Sequence, residues 1–206
     1  ALDEMVLGVE QLSIGLPSGN AAHRVADEIH GALDLYRGKG WLDDPAAYHL
    51  DPPPLGEVHL ENARSGSIEY EHLSFESGYE PWDGEPGRER WLGLGPPRTA
   101  HAYLLRSGEP DRPWLVCTNG YRMGLPAIDL RAFGHYHKIL GLNVLIPVLP
   151  LHGPRRIGRR SGDGFLGGEV LDTVHAETQA IWDIRRMIGW LRGQGALSVG
   201  ATGLSL

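Results

Sequence analysis

The sequence has a single cysteine and no long hydrophobic run. Cys117 alone excludes a disulfide within the chain and is compatible with a reducing compartment. Every apolar stretch is shorter than the ~18–20 residues that a membrane-spanning helix needs. A basic start followed by an apolar block, which is typical of a signal peptide, is also missing. We therefore expect a cytoplasmic protein without a transmembrane segment.

Basic residues are scarce in the first half of the chain. Residues 1–100 contain 18 acidic and 7 basic side chains, and residues 101–206 contain 8 and 12. The net charges of the two ranges are therefore −11 and +4, which sum to −7. An acidic first half argues against nucleic-acid binding, which needs a basic face. Metal-ligand spacing is missing too, because His135 and His137 lack a third ligand in any recognisable motif. We expect no nucleic-acid partner, no metal and no cofactor.

Glycine, by contrast, is abundant, since the 206 residues include 29 of them. The length suffices for one domain with a substantial core. In the N-terminal part, apolar residues at spacings of three and four predict a helix that begins near Asn20 and ends near Gly38. We expect Trp41 to anchor the irregular stretch that follows. Residues 1–56 are predicted to form a helical and irregular flank or cap outside the main sheet.

From residue 57 the pattern changes to that of an α/β domain, predicted over residues 57–206. The apolar period first becomes two, which predicts strands. Residues 78–97 then have the composition of turns. The later predicted elements are strands over 99–106, 114–118, 143–148 and 197–201 and helices over 126–140 and 171–191. Apolar strands that alternate with helices predict a mostly parallel sheet, covered by helices on both faces.

The last predicted strand leads into Gly203-Leu204-Ser205-Leu206. This run supplies four of the five positions of a Gly-x-Ser-x-Gly turn, and the fifth would be residue 207. In such a turn a strained backbone projects the serine hydroxyl above the sheet. Ser205 is the only one of the ten serines with a glycine two positions before it. It is therefore the candidate nucleophile, and the alternative is an ordinary serine in a glycine-rich turn.

Two upstream loops are expected at the same edge of the sheet, because ligands bind beyond the carboxyl ends of parallel strands. The first loop contains Asn119, Tyr121 and Arg122, and the second contains His152 and Arg155. All of these except Tyr121 are candidate substrate-binding residues. Alternatives stay open, because Asn-Gly is also a common turn sequence. His152 could instead hold its loop by a hydrogen bond, and Arg155 could pair with an acid.

The order of these pieces resembles the alpha/beta-hydrolase superfamily over the C-terminal half of the chain. Asn119-Gly120-Tyr121 lies where that family has a His-Gly-x or Asn-Gly-x turn after its third strand. Three further stretches are similar to the subgroup typified by alpha/beta-hydrolase domain-containing protein 18, namely residues 149–156, 159–164 and 179–192.

The resemblance implies a function for this edge of the sheet. Ser205 would attack an acyl carbonyl, and the backbone N–H groups of Tyr121 (or its neighbour Arg122) and Leu206 would form the oxyanion hole. The triad acid and histidine follow the nucleophile in chain order in this family, so both are expected after residue 206. The later strands of the sheet are expected there as well, since an incomplete sheet would expose a long apolar edge. A folded, active form is therefore expected to need a second polypeptide or a C-terminal segment.

The predicted function is a serine hydrolase that cleaves small-molecule carboxylic esters through an acyl-enzyme on Ser205, with lipid esters among the candidate substrates. The alternative is a non-catalytic module of the same fold that binds a ligand or a partner. An acid and then a histidine at strand ends after residue 206 would favour the enzyme.

Overall fold

The computed structural model describes residues 19–109 and 111–205. Predictions about residues 1–18 and about Leu206 lie outside these ranges. The described part is an α/β fold built on one sheet, which confirms the predicted class. Within it, no helix combines the length and the apolar character that crossing a membrane requires.

The described sheet has six strands in the spatial order β1-β2-β3-β5-β4-β6. The strands are β1 (His59–Ser65), β2 (Ile68–Glu76), β3 (Thr99–Leu105), β4 (Trp114–Thr118), β5 (Asn143–Val148) and β6 (Val199–Gly203). β4 pairs in parallel with β5 and β6, whereas the β1–β2, β2–β3 and β3–β5 pairs are antiparallel. Four strands (β2, β4, β5 and β6) thus run in one direction, but the pairing is more mixed than the sequence predicted.

The helices explain where the sheet becomes parallel. They are α1 (Gly19–Gly38), α2 (Arg88–Leu92), α3 (Pro126–Leu140) and α4 (Val170–Gly193), with short 3₁₀ turns at Pro45–Tyr48, Pro96–Arg98 and Gly153–Arg155. α3 connects β4 to β5, and α4 lies between β5 and β6. Parallel strands need such long crossover connections, while β1 and β2 are joined by a tight turn that makes them antiparallel. The predicted alternation of strand, helix, strand, helix and strand is confirmed over residues 114–203.

The two longest helices of the sheet region cover opposite faces. On one face, Met187 and Leu191 of α4 pack with Leu73, Leu104 and Leu145. On the other face, Leu130 and Phe133 of α3 belong to a second core cluster, which also includes Tyr103, Cys117, Val144 and Ile146. Alternate residues of β3 and β5 therefore face different helices, as the two-residue repeat of a strand requires. This arrangement confirms the prediction of helices on both faces.

The N-terminal flank, as far as it is described, contributes no strand to the sheet. α1 is joined to the rest by ion pairs, since Arg24 contacts Glu169 at 2.5 Å and Glu28 contacts Arg90 at 2.8 Å. Trp41 is buried, as expected of an anchor. The flank therefore lies against the helical layer around α4, and the boundary at residues 56 and 57 remains a prediction.

Two elements differ from the sequence predictions. The stretch 78–97, predicted as turns, contains the short helix α2, in which Trp91 is buried and donates a hydrogen bond from its indole to Gln179 at 3.0 Å. The last strand was predicted over 197–201 but lies at Val199–Gly203. The strand thus continues to Gly203, directly before the serine turn.

Candidate active site

Ser205 follows the end of β6 in an unusual backbone conformation. Its φ is 68°, in the left-handed region. For a residue with a side chain this region costs about 1–2 kcal/mol, because Cβ approaches the carbonyl oxygen. One residue earlier, the Leu204 N–H still donates to the Thr118 carbonyl at 3.1 Å. The chain therefore turns sharply at Ser205 while the preceding residue stays bonded to the end of β4.

The loop after β4 lies directly against this turn. A Cβ built on Gly120 would come within 2.6 Å of the Leu204 carbonyl oxygen and 3.0 Å of the Ser205 Cβ. The contact arises because β4 and β6 are neighbours whose register pairs Thr118 with Gly203. The structure thus brings the predicted Asn-Gly turn and the predicted nucleophile together, and only glycine fits at position 120.

Asn119 is fully buried beneath the loop. Its Nδ2 donates to Oδ2 of Asp129 at 3.2 Å, and Oδ1 of the same Asp129 accepts the Gly124 N–H at 3.0 Å. Among the described residues, Oδ1 of Asn119 has no hydrogen-bond partner. The structure therefore places the Asn119 side chain at the base of the loop, where it binds the carboxylate that also accepts from Gly124.

Tyr121 and Arg122 form the middle of the loop. Arg122 has a φ of 68°, and its guanidinium lies 4.8 Å from the centroid of the Tyr121 ring. The guanidinium is also paired with Asp163 at 2.5 Å. A hydrogen bond from the Arg160 backbone N–H, and then one from Arg122, lower the pKa of the Asp163 carboxyl. The loop after β4 is thereby tied to the 159–164 segment.

His152 is buried in the loop after β5, next to Tyr121. Its Nδ1 donates to the Pro150 carbonyl at 2.9 Å, and its ring lies 6.2 Å from that of Tyr121. Burial lowers the pKa of His152, so the ring is neutral and Nε2 is an acceptor. Within the described residues, Nε2 has no hydrogen-bond partner. A Cβ on Gly162 would meet Nε2 at 3.0 Å, so the 159–164 segment closes tightly over this histidine.

Arg155 is placed in the core and not beside Ser205. It is fully buried, and its guanidinium donates to the Pro97 carbonyl at 2.7 Å and to Asp183 of α4 at 2.9 Å. Asp183 also accepts a hydrogen bond from the Ser77 hydroxyl at 2.6 Å. Because the buried guanidinium is occupied by these partners, the structure does not bring Arg155 to the site as a substrate-binding residue. The acid-paired alternative describes its contacts.

Two residues of the site were missed in the sequence analysis. Asp129 lies in the first turn of α3, where an acid is common because of the helix dipole, so its burial had no separate signal. The Ser161 hydroxyl accepts the Gly153 N–H at 2.8 Å and also donates to the Met123 carbonyl. Ser161 thus joins the two loops, and such a contact between distant residues leaves no periodic pattern in a sequence.

A thiol nucleophile and a metal site are the other kinds of chemistry to consider. Cys117 is fully buried in β4, and burial raises the pKa of its thiol to about 12. Such a thiol is a poor nucleophile at neutral pH. Across residues 19–109 and 111–205, histidine, cysteine and acidic side chains form no group of three or more that could hold a metal ion.

Comparison with known proteins adds little about activity. No family model matches the sequence. Two curated relatives, described as uncharacterised proteins from two strains of Mycobacterium tuberculosis, are each 41% identical over 207 residues. The match covers 99% of this chain and 50% of each relative, so the chain spans about half the length of these proteins.

The similar solved structures are distant. An acetyl xylan esterase from Thermoanaerobacterium is 16% identical with a TM-score of 0.43, and the match covers 82% of this chain and 49% of that one. An acetyl xylan esterase from Paenibacillus is 12% identical with a TM-score of 0.43, at coverages of 79% and 56%. A putative hydrolase from Agrobacterium vitis has 13% identity and a TM-score of 0.29, at coverages of 70% and 39%. Similarity at this level carries no argument about the function of this chain.

Proposed function

We propose that this protein is a serine hydrolase that cleaves carboxylic esters through an acyl-enzyme on Ser205. The observation that carries the proposal is the backbone of Ser205, which adopts a φ of 68° two positions after the end of β6 and packs against Gly120. A strained serine at the end of a strand beside a glycine turn is the geometry expected of a nucleophile elbow. Left-handed strain in a residue other than glycine is also enriched at functional sites.

In the proposed reaction, Ser205 Oγ attacks the acyl carbonyl and a histidine base takes its proton. The alcohol leaves with that proton, and water then hydrolyses the acyl-enzyme by the same route. The backbone N–H groups of Tyr121 and Leu206 are proposed to stabilise the oxyanion, a contribution of about 3–4 kcal/mol per donor. The packing of Gly120 on the Ser205 turn supports this role for Tyr121, because it holds the next residue of the loop close to the nucleophile.

The acid and the histidine of the triad are proposed to come from residues beyond 206. Two observations support the proposal that residues outside the described ranges complete the site. The curated relatives are about twice as long as the stretch they share with it. Within the described residues, β6 pairs only with β4, so its other edge offers backbone groups to a further strand. That strand would belong to a C-terminal segment or to a second polypeptide.

The proposed substrates are small-molecule esters, including lipid esters. Asn119 and Arg122 of the proposed oxyanion loop, with His152 of the neighbouring loop, are proposed to shape the site. A cytoplasmic location and the narrower likeness to alpha/beta-hydrolase domain-containing protein 18 remain predictions.

A fluorophosphonate probe tests the proposal in the full-length protein. We expect covalent labelling of the wild type and none of Ser205→Ala. Ser198→Ala is the matched control, because Ser198 is an exposed serine that precedes the same strand. It should label like the wild type. Absence of labelling in a folded wild-type protein would overturn the hydrolase and favour the binding module. Labelling that persists in Ser205→Ala would place the nucleophile elsewhere.

A further inference from the structure

Asp129 occupies a special position beneath the loop that packs on Ser205. It belongs to the first turn of α3 and is fully buried. Its two carboxylate oxygens accept from the two ends of the loop, namely the Asn119 side chain at 3.2 Å and the Gly124 N–H at 3.0 Å. One rigid group therefore spans the loop from its first to its last residue.

The remaining contacts of the loop show that its position is closely determined. The Tyr103 hydroxyl donates to the Gly124 carbonyl at 2.9 Å. A Cβ on Gly124 would lie 2.9 Å from the Cβ of His152 and 3.0 Å from the Gly153 nitrogen. Gly124 cannot shift toward the second loop without a clash. The loop is thus held at Gly124, lies against the Ser205 turn at Gly120, and is bonded at its start through the Asn119 side chain.

We infer that Asp129 is a positioning residue for the proposed hydrolase, which holds the 119–124 loop at the distance from Ser205 that the oxyanion requires. Asp129 reaches the loop through Asn119 and Gly124 and does not itself touch substrate. This inference rests on the proposed function of Ser205, but the rigidity of the loop can be measured independently of it.

The protonation of Asp129 fits this role. Burial raises the pKa of its carboxyl to about 6, against the hydrogen bonds from Gly124 and Asn119, which lower it. Above that pH the carboxylate accepts from both donors. The titratable group that faces it from β3 is Tyr103, whose pKa is raised by burial and then by the charge of Asp129, so that its hydroxyl stays protonated and bonded to Gly124.

Substitutions at position 129 separate positioning from general stability. Asp129→Ala removes both acceptors and leaves Asn119 and the Gly124 N–H without their partner. Asp129→Asn keeps the shape and the acceptor for Gly124. Its NH₂ group can donate to Oδ1 of Asn119 once that amide turns over, and Oδ1 has no other partner among the described residues. Leu130→Ala is the matched control, because Leu130 is the next residue of α3 and packs in the core.

The experiment measures inactivation by a fluorophosphonate in the full-length protein, resolved into the rate constant and the affinity of the probe. We expect Asp129→Ala to lower the rate constant about 10- to 100-fold with little change in affinity, as a small misplacement of catalytic groups does. Asp129→Asn should react at close to the wild-type rate. Leu130→Ala should lose thermal stability but react normally per folded molecule. The inference is wrong if Asp129→Ala reacts like Leu130→Ala, or if Asp129→Asn loses as much as Asp129→Ala.

Amide hydrogen exchange of the peptide that covers residues 119–124 distinguishes failure of this inference from failure of the proposed function. Exchange there should accelerate in Asp129→Ala and stay unchanged in Asp129→Asn and Leu130→Ala. If the wild type is not labelled at all, the proposed role of Ser205 is wrong. Hydrogen exchange then tests by itself whether Asp129 holds the loop in place. Equal protection of these amides from exchange in Asp129→Ala and in the wild type would show that Asp129 does not hold the loop in place.

Discussion

Gly120 lies against the turn that contains Ser205, although 85 positions separate the two residues in the sequence. A methyl group on Gly120 would lie 2.6 Å from the Leu204 carbonyl oxygen and 3.0 Å from the Ser205 Cβ. The first of these neighbours is backbone and cannot move aside without displacing β6 or its turn.

We therefore expect Gly120→Ala to lower the free energy of unfolding by about 1–3 kcal/mol, as overpacking does, and to abolish labelling of Ser205. Gly189→Ala is the matched control, because Gly189 lies inside α4 and a methyl group there would meet no neighbouring atom within 4 Å. That change should stabilise the protein by about 0.5–1 kcal/mol through helix propensity. Chemical denaturation and probe labelling of both variants check the prediction. Wild-type labelling in Gly120→Ala would show that the two turns are not in close contact.

The left-handed backbone of Ser205 gives a second prediction. Glycine adopts this conformation without the steric penalty that any side chain carries. We expect Ser205→Gly to be more stable than Ser205→Ala by about 1 kcal/mol, while both variants lose labelling. Thermal unfolding of the two variants measures the difference. Equal stabilities would mean that the serine turn stores no strain.

The strands and helices of the sheet region could be predicted because short stretches of sequence are enough to identify each of them. Apolar runs such as Asn143–Val148 and the start of α3 at Pro126 can be recognised without knowledge of the rest of the chain. The antiparallel pairing of β3 with β5 could not be recognised, because strand direction depends on how distant segments meet. The short helix α2 was missed for the same reason, since its five residues are held by the contact of Trp91 with Gln179.

At the site, the sequence predicted the two turns that meet but not what supports them. The steric limits of a tight turn require glycine beside the serine, and this requirement is visible in the sequence as a motif. Arg155 is a substrate-binding candidate in the sequence because its loop is predicted at the carboxyl edge of the sheet. In the structure Arg155 is buried and paired with the carboxylate of Asp183 in α4. A pair between residues so far apart in the sequence leaves no recognisable sequence pattern.

The buried pair of Arg155 and Asp183 gives a third prediction. Arg155→Met leaves the carboxylate of Asp183 buried without its cation, and we expect a loss of about 3–5 kcal/mol in the free energy of unfolding. Replacing both residues, as Arg155→Met with Asp183→Leu, should recover part of that loss. Arg159→Met, at an exposed position of the following segment, should change stability by less than about 0.5 kcal/mol. Denaturant titrations measure all three, and a small effect of Arg155→Met alone would contradict the prediction.

The imidazoles of His72 and His101 give a fourth prediction, about pH. Nε2 of His72 lies 3.0 Å from Nδ1 of His101 on the face of β2 and β3. Burial, followed by the charges of His72 and Arg155, lowers the pKa of His101 to about 4. The unfolded chain takes up a proton at this histidine below about pH 6.5, and the folded protein resists it until about pH 4.

The folded protein should therefore lose stability as pH falls from about 6.5 to about 4. Because His101 is only partly buried, we expect a contribution of about 1–2 kcal/mol across this window. His101→Gln removes the titrating group, so the difference in unfolding free energy between wild type and variant should shift in favour of the variant as pH falls. Parallel stability curves from pH 4 to pH 7 would contradict this explanation.

The contacts around Asp183 also have a consequence for the order of folding. Asp183 binds Ser77, which lies 106 positions earlier, and Gln179 binds the same serine across 102 positions. Contacts across such separations form late, because a long segment of chain must first be closed into a loop. The loop after β5 is bonded to Asp183 through Arg155, so we expect it to become ordered only once α4 has docked. During synthesis the strands up to β5 emerge before α4 does, so we expect the loop after β5 to acquire its final contacts only after the strands that it follows have formed.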